Sequence, residues 1–424
     1  MSFTAALLLL AAALSPAPAP DASPRWIGTW ATAAQPASPK VQTYKNQTLR
    51  LIVHTSVGGA KVRIKISNTY GEKSLLIGAA HLARRTTGAD IEPASDRPVL
   101  FKGQSSTTVP PRSMVVSDPT ALDVPALSDL AISIFLPQTT EATTVHSLAK
   151  QSNYVSAETG DHSADAKFTA EKTFRNWPFL TGVDVTASPR GAAIVAFGSS
   201  LTDGDGTTTD TNRRFPDVLA ERLQKEGGGK RELGMLNEGI IGNRLLNDSP
   251  PQAAGGRFGV MLGQSGLARF ERDVLDQAGV KYVILGLGIN DIVFPGSLTP
   301  AAERITAEDI IAGYRQLIAR AHKKGIRIVG TTNGPFENAF LALGPPAEPI
   351  LFYSPEKEGL RQKVNEWILG SGEFDGVVDL DKVLRDPTHP TQLLPEYDSG
   401  DHVHPNDAGS AAEGNAFPVS LFER

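Results

Sequence analysis

At Arg190 the sequence changes its period, and that change decides what the chain can fold into. From Trp26 to about Lys167 it is built of short alternating segments. Lys61-Val62-Arg63-Ile64-Lys65-Ile66-Ser67 sends polar and apolar side chains to opposite faces, as a half-buried strand demands, and Asn68-Thr69-Tyr70-Gly71 supplies a turn. Thr48–His54, Pro98–Gly103, Thr107–Val109 and Asp129–Leu136 read the same way, and Gly160–Lys172 reads as a polar connecting loop. No long helical period interrupts them, so this half is predicted to be an all-β sandwich or jelly roll. Beyond Arg190, Ala192-Ala193-Ile194-Val195-Ala196-Phe197 is continuously apolar, the mark of a strand covered on both faces. Helical patterns follow at Pro216–Lys225 (stopped by Gly227-Gly228-Gly229), Leu267–Gln277, Thr306–Lys324 and Pro355–Leu369. Between them lie strands at Tyr282–Leu287, Ile326–Thr332 and Gly376–Leu380. Thr306 with Asp309 three residues on makes a capping box. The alternation predicts an α/β domain with a parallel sheet between two helical layers. The expected domains are residues 24–175 and 190–424.

Composition narrows the function classes. A net charge of -5 gives no footprint for nucleic acid. The absence of Cys excludes disulfides, thiolate metal sites and a Cys nucleophile. At the N-terminus, Ala5–Leu14 is apolar throughout, too short to span a bilayer but suited to the core of a signal peptide. No Lys or Arg precedes it; Ala17-Pro18-Ala19 and Pro20-Asp21-Ala22 offer small-residue cleavage sites. Residues 1–22 are therefore expected to be a signal peptide and the mature protein to be secreted or periplasmic, without a membrane span.

Open parallel sheets carry their sites in the loops at the carboxyl ends of strands. Three polar, Gly-containing clusters fall there: Phe197–Gly204, Asn237–Arg244 and Leu287–Asp291; a fourth is Asp401–Gly409. Together they hold what acyl transfer needs. A Ser on a strand-to-helix turn presents its hydroxyl beside the free N–H groups of a helix start. A His supplies a general base, and a carboxylate three residues before it holds the other ring nitrogen. Gly242 offers an open backbone N–H and Asn290 a side-chain amide. Taken singly, each has a plainer reading: a turn at Gly198-Ser199-Ser200, a loop at Gly242-Asn243, a helix cap at Asn290-Asp291. Asp401, His402 and His404 also resemble a metal site, but no other residues complete the ligand spacing, so neither metal nor cofactor is expected.

The four clusters, in this order, resemble the blocks of the SGNH hydrolases, also called GDSL esterases/lipases, which adopt a flavodoxin-like α/β/α fold with a five-stranded parallel sheet. The Gly-Asp-Ser-(Leu/Ile) block falls on Gly198-Ser199-Ser200-Leu201, the Gly-x-Asn-Asp block on Gly288–Asp291 and the Asp-x-x-His-Pro block on Asp401–Pro405. The resemblance implies a catalytic triad of Ser200, Asp401 and His404. It implies an oxyanion hole formed by the N–H groups of Ser200 and Gly242 and the Asn290 amide. It departs at Ser199, where the family usually has Asp. Asp203 and Asn243 are candidates either for anchoring the loops or for binding substrate, and His402 has no assigned role. The α/β-hydrolase signature Gly-x-Ser-x-Gly does not occur, since Leu201-Thr202 follow Ser200.

Asn212–Asp217, Arg269–Asp273 and Thr332–Phe336 further resemble a bacterial, xylanase-cluster-associated subfamily of acylhydrolases in which a β-rich domain precedes the catalytic one; Trp26-Ile27-Gly28-Thr29-Trp30 resembles its opening. The function so implied is a secreted carboxylic ester hydrolase acting on short, acetyl-type esters of carbohydrate. The alternatives are a general arylesterase or lipase-type acylhydrolase, an acyltransferase, and a catalytically weak glycan-binding protein, the last favoured only by Ser199. Trp26, Trp30 and Tyr44 read either as a stacking platform for sugar or as core.

Overall fold

The computed structural model describes residues 25–37, 41–226, 232–342, 344–345 and 347–423. The expected signal peptide and the Gly227-Gly228-Gly229 stop lie outside them.

The principal strands of the first part are β1 (Arg25–Ala31), β2 (Thr43–His54), β3 (Gly59–Ser67), β4 (Ala79–Arg84), β5 (Thr120–Val124), β6 (Asp129–Glu141), β7 (Thr144–His146), β8 (Asn153–Ser156), β9 (Ala170–Phe174) and β10 (Leu180–Ala187). Two antiparallel sheets form, one ordered β1-β10-β3-β5 and the other β9-β8-β2-β6-β4. In the second sheet Leu130, Ile132 and Ile134 stand opposite Val53, Leu51 and Leu49. All six are buried in one apolar core with Val62, Ile64 and Ile66 of β3. The predicted alternation thus produces the predicted all-β part, and the pairing of β10 with β1 and β3 carries it past residue 175 to Ala187.

Two local readings fail for physical reasons. Pro98–Gly103 is not a strand beyond Arg97–Pro98, because Lys102 and Gly103 take positive φ values of 53° and 78° and turn the chain. The polar segment after Gly160 ends in strand β9 and covers the outer face of the second sheet, where buried Arg50 bonds the Asp165 and Ser163 carbonyls and lies 4.4 Å from the Phe168 ring. Trp30 and Tyr44 are 4% and 1% exposed. They are core; Trp30 packs edge-on against Trp177.

The second part has strands β11 (Ala192–Gly198), β12 (Leu233–Asn237), β13 (Val280–Gly286), β14 (Arg327–Thr331) and β15 (Gly376–Val378), all parallel, in the order β12-β11-β13-β14-β15. Its helices are α1 (Ser200–Asp203), α2 (Phe215–Glu226), α3 (Gly266–Phe270), α4 (Ile289–Val293), α5 (Ala307–Lys323), α6 (Pro355–Gly370), α7 (Leu380–Leu384) and α8 (Asp407–Ala416). One apolar cluster joins the sheet to α5 and α6, another joins it to α2 and the C-terminal segment, so both faces are covered. This is the flavodoxin-like three-layer order. The predicted capping box at Thr306 and Asp309 is present in full. The Leu267–Gln277 helix is instead α3 followed by a wider turn, Glu271–Leu275, whose Asp276 N–H donates to the Glu271 carbonyl five residues back.

Candidate active site

β11 ends at Gly198, and the next turn is as tight as the chain allows: a Cβ on Gly198 would lie 1.9 Å from Thr202 Oγ1. The turn starts α1 at Ser200. The last loop brings in the other partners. His402 takes φ 65°, and Asn406 caps α8 through the Ala408 and Gly409 N–H groups. This turn brings Asp401 and His404 together. His404 Nε2 is 2.8 Å from Ser200 Oγ, and His404 Nδ1 is 2.6 Å from Asp401 Oδ2. Asp401 Oδ1 also accepts from the N–H groups of Val403 and His404, at 3.1 and 2.9 Å.

The electrostatics suit a base. Burial alone would lower the His404 pKa, but the Asp401 hydrogen bond and the charges of Asp205 and Asp401 outweigh it and raise the imidazole above its ordinary 6.5. Burial opposes ionisation of Asp401 too, yet its hydrogen bond and ion pairing with His404 hold it down at about 2. The nearest further carboxylate oxygen, Asp205 Oδ2, is 3.9 Å from His404 Nε2.

Gly242 has φ 68°, a conformation in which other residues are strained, and a Cβ there would press on Leu262 at 2.9 Å. Neither its N–H nor that of Ser200 donates a hydrogen bond among the described residues. Asn290 uses one amide hydrogen on the Asn243 carbonyl at 2.9 Å. Its second remains available. Asn290 and Asp291 do not cap the next helix; they lie within α4. Asp291 instead accepts from the Leu245 and Leu246 N–H groups, and burial raises its pKa to about 6.

Of the two residues proposed for anchoring or substrate contact, both are buried and tied to protein atoms. Asn243 donates to the Leu262 and Gln264 carbonyls and accepts from Arg269. Asp203, 1% exposed, accepts from the Ile241 N–H and faces the ring of His146, each at 2.9 Å. Ser199 is buried and does not cap α1. His402 is partly exposed and paired to Asp398 at 2.5 Å.

Several groups have contacts that the sequence does not announce. Arg269 is fully buried and donates to the Gly198 and Glu238 carbonyls and to Asn243, so one guanidinium ties the first loop to the second. His146 comes from β7, 57 residues before Asp203. Lys150 donates to the Thr207 carbonyl at 2.9 Å. Arg269 entered the sequence reading only through the resemblance of the Arg269–Asp273 stretch, and its ion pair with Asp273 is seen in the structure.

Residues 196–412 match the model of the GDSL-like Lipase/Acylhydrolase family. The chain belongs to this family. That membership makes it a carboxylic ester hydrolase of GDSL type. No curated protein matches the chain. Among solved structures it is similar to the native aryl esterase of M. smegmatis, at 21% identity over 53% of this chain and 95% of that one, with a TM-score of 0.38. It is similar to a carbohydrate acetylesterase from Sinorhizobium meliloti, at 15% identity over 53% and 95% of the two chains, TM-score 0.37. A GDSL-like lipase from Bacteroides thetaiotaomicron matches at 15% identity over 55% and 88%, TM-score 0.35. Among the described residues no cluster of His, Asp and Glu is placed to hold a metal, and no helix is long and apolar enough to cross a membrane.

Proposed function

We propose that this GDSL-family chain is an exported serine esterase that removes short acyl groups, acetyl above all, from carbohydrate. The observation that carries the catalytic reading is the continuous hydrogen-bonded line Ser200 Oγ, His404, Asp401. Ser200 attacks the ester carbonyl while His404 Nε2 takes its proton. Asp401 holds Nδ1 and stabilises the imidazolium. The N–H groups of Ser200 and Gly242, with the free hydrogen of Asn290, hold the oxyanion. The alcohol leaves with the proton from His404, which then activates water to release the acid and free Ser200.

We take the acyl group to be small and its alcohol large. Leu201, Ile289, Pro335 and Val403 line, with Ser199 and Glu413, a narrow gap of about 30 Å³ behind the nucleophile loop. A cleft of about 560 Å³ lies between the β part and the segment Asp248–Gln264, lined among others by Val41, Tyr70, Arg112, Asp248 and Gln264. Ser249 borders both this cleft and the small gap beside Gly242. The test is acetate release from acetylated xylan, with an aryl acetate alongside. Release from both supports the reading; hydrolysis of the aryl ester alone removes carbohydrate from it.

A further inference from the structure

The segment His146–Ser152 of the β part runs along the loop that follows the nucleophile and pairs with it residue by residue. His146 faces Asp203; Lys150 donates to Thr207 and lies 3.8 Å from Asp205; Gln151 and Ser152 bond the Asp210 carboxylate. Three of these residues make ordinary polar ties. The fourth is not. His146 and Asp203 have side chains only 2% and 1% exposed. The Nδ1 of His146 faces the Ala33 carbonyl at 3.0 Å, which can only accept, and Nε2 faces Asp203 Oδ1 at 2.9 Å. Both ring nitrogens therefore point at acceptors, and the ring donates from both when it is an imidazolium. The other Asp203 oxygen accepts from Ile241 N–H at 2.9 Å. Ile241 is the residue before Gly242, and Asp203 closes the helix that Ser200 opens.

We infer that His146 is a positioning residue for the ester hydrolysis: reaching over from the β part it fixes Asp203, and through Asp203 it fixes the spacing between Ser200 and the oxyanion N–H of Gly242. The β part is then a component of the active site rather than an appended module. A buried carboxylate stripped of its partner relaxes toward other donors or solvent, and the strand-end loops it joins move with it. An oxyanion donor displaced from its place costs rate without costing substrate affinity, because the charge it meets forms only in the transition state.

This rests on the Ser200–His404–Asp401 reading, and one experiment separates the two. Turnover of an aryl acetate is measured for wild type, Ser200→Ala, His146→Leu, Asp203→Asn and Gln151→Ala, each with its melting temperature. The inference predicts that His146→Leu and Asp203→Asn each lower kcat by about 10-fold or more, up to the ~10²–10³ of a lost oxyanion donor. KM should change by less than about 3-fold. The double variant should be no slower than the slower single one, since both break one link. Gln151→Ala, which loosens the same segment at Asp210, should keep the wild-type kcat. Wild-type kcat in folded His146→Leu overturns the inference, as does an equal loss in Gln151→Ala. If His146→Leu does not fold, Asp203→Asn, which preserves the shape of the side chain, decides by the same criterion. Turnover surviving in Ser200→Ala would instead overturn the underlying reading.

Discussion

His404 sits between two carboxylates, and its chemistry is set by both. Asp401 bonds Nδ1, while Asp205 lies within 3.9 Å of Nε2 and adds to the charge that raises the imidazole above 6.5. As the proposed base, His404 works only when unprotonated, so a raised pKa moves the acid limb of kcat/KM upward: activity should fall as pH drops through a value above 6.5. Asp205→Asn removes one of the raising charges and should shift that limb to lower pH, as a pH profile of aryl acetate hydrolysis would reveal. Asp401 stays ionised down to about 2 and contributes no limb near neutrality. The proposed site residues Ser200, Asp401, His404, Gly242 and Asn290 were legible in the sequence because each stands in a short block with its neighbours. The contacts of His146 and Arg269 with the first and second loops were not, because those partners lie far along the chain.

At the scale of elements, the period-2 and apolar-run patterns find the strands β2, β6 and β11, but not the equally buried β1, β10 and β12, whose short runs carry Gly or Asn among their apolar residues. They failed where a turn was held by backbone conformation, as at Lys102-Gly103, or where a helix widened, as after Phe270. Helix α8 holds a further surprise. Its Glu413 is fully buried beside the gap behind Ser199, and neither carboxyl oxygen finds a partner among the described residues. Burial raises its pKa well above the ordinary 4.5, so the folded protein keeps the proton that the unfolded chain releases. Its contribution to stability is therefore greatest below 4.5 and is lost as pH rises toward the folded value, at about 1.4 kcal/mol per pH unit. Glu413→Gln should melt like wild type near pH ~4 and above wild type at pH ~7, the gap widening between, by thermal melts across that range. Parallel melting curves at both pH values would contradict a buried neutral acid.

The whole molecule is two architectures sharing one wall. Gly28 of β1 donates to the Ala278 carbonyl at 2.9 Å, and Ser56 exchanges hydrogen bonds with Met235 of β12, so the first β sheet abuts the edge of the parallel one. Ala31 of β1 belongs to the same apolar cluster as Phe197 and Leu236. Shared burial of this kind couples the parts, and calorimetry should show them unfolding in a single transition; two separated transitions would mean that the wall contributes little. The sequence revealed both architectures through their periods but not their contact, since Gly28, Ser56 and Met235 look ordinary within their own segments. The account as a whole stands on Ser200, and its most direct test is steady-state hydrolysis of a short aryl acetate by wild type and Ser200→Ala. The account predicts that the folded variant loses at least about 10³-fold in kcat, as for a nucleophile whose removal leaves only binding and the oxyanion donors. Turnover within a few-fold of wild type would contradict it.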